Sequence, residues 1–141
     1  MRRAGMAPAQ IALVRRMIAA TQVVGVDQGR LVQAADPNDL AQAILADADL
    51  SSLGSRDGVR RALLLHQEQQ HLAGATSPTR EATLAFLTFQ AGLFGEHTYL
   101  LPATERLYPH RQANMDRLSQ LRDLYEADRI GYADLLTQAQ I

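Results

Sequence analysis

Two carboxylates, Asp47 and Asp49, stand where an amphipathic helix would be expected to carry apolar residues. The run Asp36–Gly54 reads as one helix. Asp36 is placed to cap it, Pro37 suits its first position, Asp39 lies against the positive end of its dipole, and Gly54 supplies the stop. At about 100° per residue, Leu40, Ala41, Ile44, Leu45 and Ala48 share one face. Asp47 and Asp49 fall on opposite shoulders of that stripe, where each can look into a groove between helices. Hard carboxylate oxygens joined by histidine nitrogens suit Mn, Fe, Mg or Zn, so metal ligation is the chemistry this pair would do. The plain alternative is a helix end whose acids face water.

Other constellations are thinner. Glu68 and His71 have the Glu-x-x-His spacing of di-iron bundles, but a second such pair is absent, so an exposed helix end is expected. His66 and His71 are five apart, which keeps their rings off one common face and removes the His-Glu-x-x-His protease reading. His97 and His110 lie near Tyr99 and Tyr108 and could line a pocket. Arg106, Arg111, Arg117 and Arg122 are offset by Glu105, Asp116 and Asp123, so a solvated helix face is favoured over a phosphate or nucleic-acid surface. The chain contains no lysine, hence no phosphate-binding loop, and no serine sits in a nucleophile elbow.

The phrase Ile44–Gly54, with Asp47-Ala48-Asp49-Leu50 at its centre, resembles the last motif of the predicted metal-dependent phosphohydrolases of the HD superfamily. Val14–Thr21 is similar to the helix before that motif. Phe86-Leu87, His97-Thr98-Tyr99 and Arg111–Leu118, with its Arg-x-x-Asn, are similar to the closing helices, so the likeness spans about residues 8–122. The resemblance implies phosphate-ester or nucleotide hydrolysis by a metal-activated water. Asp49 would be the ligand of a divalent metal, with Asp47 as neighbour or alternative, and Arg111, Asn114 and His97 would be candidates for substrate or phosphate. Those enzymes also use an earlier His and a His-Asp doublet. None of His66, His71, His97 or His110 is followed by Asp, so the resemblance implies a truncated or degenerate relative that does not bind the metal alone. The alternative, from another class, is a non-enzymatic helical module for self-association or protein binding.

The elements that must position these residues read as an all-α array of about five or six helices in one domain over residues 1–141. A first helix from Pro8 to about Gln22 should bury Ile11, Val14, Met17 and Ile18. Val23–Gln33 clusters β-branched residues and glycines, but one isolated strand would lack a partner, so a connection is expected. A helix from about Arg56 to Ala73 packs its first half and wets its second. Ser77 and Pro78 open a helix running to about Phe94, apolar nearly all round and expected to be innermost. Pro102–Asp128 reads as a long helix that Pro109 must bend or interrupt, followed by a short terminal helix weakly anchored by Tyr132, Leu135 and Leu136, with a frayed end.

The 141 residues, 47% hydrophobic, suffice for one core, and a formal charge of −1 gives no general attraction to nucleic acid or an anionic membrane. Zero cysteines suit a cytoplasmic protein. No apolar run is long enough to span a bilayer, and Met1–Met6 lacks a signal segment. Loss of the covering helices would leave an apolar patch, so a homodimer or a protein partner is expected to cover it.

Overall fold

The structure, a computed structural model, describes residues 5–27 and 30–139. The readings of Met1–Ala4 and of the last two residues, Gln140 and Ile141, lie outside the described residues, as do Gln28 and Gly29 of the expected connection. Among the described residues the architecture is all-α, with seven α-helices and one two-stranded sheet: α1 Pro8–Ala20, β1 Val23–Asp27, β2 Arg30–Gln33, α2 Leu40–Asp49, α3 Gly58–Leu72, α4 Arg80–Glu96, α5 Pro102–Leu107, α6 Arg111–Glu126 and α7 Tyr132–Gln138. A 3-10 turn over Ser51–Gly54 links α2 to α3. No helix among the described residues is long and apolar enough to cross a membrane.

The connection expected at Val23–Gln33 is instead an antiparallel hairpin, with Val23 opposite Gln33 and Val26 opposite Leu31. The β-branched residues supply the propensity, and the partner comes from the second half of the same stretch.

The boundaries of α2 also differ from expectation. Its N-cap is Asp39, whose Oδ1 accepts from the backbone N–H of Ala41 (3.1 Å) and Gln42 (3.3 Å) and whose Oδ2 accepts from Gln42 Nε2 at 2.8 Å. The Gln42 side-chain bond leads the causes that hold the Asp39 carboxyl below the usual carboxylate range. Asp36 turns the chain before the helix, its Oδ1 accepting from the N–H of Asn38 at 2.9 Å, so Pro37 lies outside the helix. In the same way Thr79, not Ser77, caps α4, its Oγ1 accepting from Ala82 N–H at 3.2 Å.

The core lies between α3, α4, α6 and α7, where Leu63, Leu87, Leu118, Leu121 and Leu135 are fully buried and Phe94 nearly so. α4 is therefore one wall among several. It buries only Thr83, Leu87, Gln90 and Phe94, at i, i+4, i+7 and i+11, and leaves Phe89 57% exposed. The wet half expected of α3 is also corrected at His66, which is buried and stacked on Phe86 at 4.3 Å. The terminal helix is tightly held, since Leu135 reaches the core. Pro109 interrupts its helix outright, separating α5 from α6.

The largest departure is α1. Every residue from Gly5 to Arg16 is exposed, Met17 is half-buried and only Ala20 is buried, so the stripe Ile11, Val14, Ile18 faces solvent. The cause is geometric. Gln33 Nε2 donates to Thr21 O (3.3 Å) and to Asp49 Oδ2 (3.4 Å), joining the C-terminal ends of α1 and α2, while Arg16 pairs with Asp39 at the start of α2 (3.3 Å). Among the described residues no side-chain hydrogen bond or ion pair ties the earlier turns of α1 to another element, and they stand out as an arm.

Candidate functional site

The two carboxylates take different environments. Asp47 is only 2% exposed. Its Oδ1 accepts from the backbone N–H of Leu100 at 2.7 Å, and its Oδ2 accepts from the N–H of Leu101 at 2.9 Å and from Thr104 Oγ1 at 2.7 Å. The local sequence explains this. α5 opens on Pro102 with Leu101 as its N-cap, and leucine has no side-chain oxygen to satisfy the free amides at a helix start. The carboxylate of a distant helix instead takes the two amides just before that start and the Thr104 hydroxyl within its first turn, and charge-assisted bonds of this length are the stronger class. Asp47 thereby locks α5 to α2.

Asp49 is exposed, accepts among the described residues only the long bond from Gln33, and borders a cavity of about 260 Å³ with Ser52, Arg61, Gln90 and Phe94. Asp57 takes the guanidinium of Arg61 at 2.7 Å.

Asp47 and Arg111 each lie close enough to His97 for their charges to act on it, and His97 hydrogen-bonds neither. His97 is 4% exposed, and neither ring nitrogen has a hydrogen-bond partner among the described residues. Its ring meets that of Tyr99 edge-on at 5.2 Å and borders a cavity of about 270 Å³ with Val32, Pro37 and Leu100. Burial depresses the His97 pKa, the Arg111 charge adds to this and the Asp47 charge opposes it. Burial likewise depresses that of His66. Arg111 Nη1 donates to the carbonyls of Phe94 (3.1 Å) and Gly95 (3.3 Å), closing the end of α4. Asn114 is fully buried, and its Nδ2 donates to Leu53 O and Ser55 O, both at 2.8 Å. Arg111 and Asn114, the phosphate candidates, thus spend these donors on backbone carbonyls.

Sequence reasoning named Tyr99 only as a neighbour of His97 and gave it no role of its own. Its hydroxyl donates to Leu50 O at 3.2 Å and accepts from Gly54 N–H at 3.0 Å, and burial leads the causes that push its pKa up to about 12. At Gly54 a Cβ would stand 2.1 Å from Tyr108 O, so only glycine allows this approach.

Glu68 and His71 border another cavity, of about 470 Å³, with Gln67, Pro78 and Tyr132. Among the described residues no three His, Asp or Glu side chains stand together as a metal would require. With Asp47 engaged by three donors and Asp49 without an imidazole neighbour, these side chains do not fit a divalent cation as they stand.

No protein-family model, no curated protein and no solved structure matches the chain.

The two buried imidazoles set a pH dependence. Folded-state pKa values below the unfolded value of about 6.5 mean that the unfolded chain binds more protons as pH falls. Their stabilisation is complete above about pH 6.5 and is lost as pH drops through that value towards the lowered folded pKa. Thermal melts should therefore show Tm falling below about pH 6.5. His66→Phe, which keeps a ring against Phe86, should flatten the slope, and an unchanged slope would refute the assignment.

Proposed function

We propose that the chain is a non-enzymatic helical module whose role is association with a protein surface. The observation that carries this reading is the exposed arm: residues 5–16 are all open to solvent and include Ile11, Leu13 and Val14. A helix of this length is marginal in water unless an amphipathic face is packed, so the arm gains its stability from what it docks on. The carboxylate most deeply placed for chemistry supports the same reading, because Asp47 anchors α5.

A second reading rests on Asp49, an open carboxylate beside a cavity with Ser52 and Arg61. It makes the chain a degenerate relative of the HD-superfamily phosphohydrolases, with Asp49 holding a divalent metal whose imidazole ligands come from another chain. Metal analysis of the purified chain, with phosphomonoester turnover assayed in added Mn, Fe, Mg or Zn, separates the two. The module reading expects neither stoichiometric metal nor turnover, and both together would overturn it.

A further inference from the structure

Resting on the association reading, we propose that the partner is a second copy of this chain, and that two copies exchange arms across a two-fold axis so that α1 of each lies on the outer face of α2 of the other. The arm presents Ile11, Val14 and Ile18 at i, i+3 and i+7, exposed by 41%, 39% and 58%. The outer face of α2 presents Leu40, Ile44 and Ala48 at i, i+4 and i+8, with Leu40 64% and Ile44 51% exposed. At a rise of about 1.5 Å per residue these stripes are roughly 11 and 12 Å long, a match in length. The chain's own arm leaves the α2 stripe open, since Leu40 and Ile44 stay exposed although Arg16 pairs with Asp39.

Charge selects the pairing. α1 carries Arg15 and Arg16 and no acid, whereas α2 with its cap carries no cation and, with Asp47 buried against α5, keeps Asp39 and Asp49 as its acids towards solvent. Arg16 already meets Asp39 within the chain, while Arg15 has no ion-pair partner among the described residues and Asp49 has only Gln33. Laying arm on arm would bring cationic helices together. Laying arm on α2 brings opposite charges together, and a two-fold axis makes the contact twice and closes the assembly.

The test is the mass of the full chain by light scattering over a range of concentrations, with Val14→Glu and Ile44→Arg, two exposed positions whose substitution leaves the core intact. The wild type should show twice the 15.5 kDa chain mass. Each variant alone should weaken the dimer by at least about 10-fold. An equimolar mixture of the two should regain it, since the introduced carboxylate then faces the introduced guanidinium in one contact and Val14 meets Ile44 in the other. A wild-type monomer at high concentration overturns the proposal; with no metal or turnover, that result leaves the association reading standing on another partner. Loss of the dimer in Val14→Glu but not in Ile44→Arg, or failure of the mixture to recover, overturns the arm-on-α2 pairing.

Discussion

Replacing Asp47 with alanine is expected to cost about 3–5 kcal/mol of stability, enough to unfold a marginal domain, whereas Asp49→Ala should stay within about 0.5 kcal/mol. The asymmetry follows from their partners. Removal of the Asp47 carboxylate strands the hydroxyl of the buried Thr104 and the part-buried N–H groups of Leu100 and Leu101. Each stranded polar group costs about 1–3 kcal/mol, and the tie between α2 and α5 goes with it. Asp49 loses a single 3.4 Å bond at the surface. Denaturant unfolding of both variants measures the difference. Equal, small effects would show that the Asp47 bonds contribute little; a large effect at Asp49 alone would put the structural weight on the wrong carboxylate.

Asn114→Ala is expected to cost about 2–4 kcal/mol, through the lost bonds to the buried Leu53 carbonyl and the part-buried Ser55 carbonyl and the cavity left by a fully buried side chain. The same residue fixes the turn into α3 from the other side. A Cβ at Gly58 would come within 2.7 Å of Asn114 Nδ2 and 2.3 Å of Ser52 O, so Asn114 and the glycine occupy one tightly filled junction. If Asn114 serves phosphate rather than packing, substitution would instead leave the unfolding midpoint unchanged and weaken phosphate binding. Urea titration beside a phosphate-binding measurement distinguishes these outcomes.

Much of the helical plan was legible because local signals mark it. Pro8, Pro102 and Pro109 stand at helix starts or between helices, and Ser77-Pro78 announced a start that Thr79 takes two residues later. The all-α class follows from those marks and from helical periodicity. What was hidden is what local pattern does not encode. The apolar stripe of α1 says that Ile11, Val14 and Ile18 share a face, and nothing in it says what covers that face. Val23–Gln33 shows strand propensity, but its partner lies within the same short stretch. The site was half legible. An acid among apolar residues at position 47 marks an unusual environment correctly, yet a metal and a cluster of backbone and hydroxyl donors would both call for a carboxylate there. Only the meeting of α2 with Leu100 and Leu101, far along the chain, favours the second demand.

Amide hydrogen exchange of α1 at several protein concentrations tests the arm most directly. Protection of Gln10–Arg16 should rise with concentration while that of the buried faces of α3, α4 and α6 stays constant, as expected for a helix that is covered only by a second copy. Full protection of those amides in the most dilute samples, independent of concentration, would mean that the arm is stable within its own chain and would contradict the proposal.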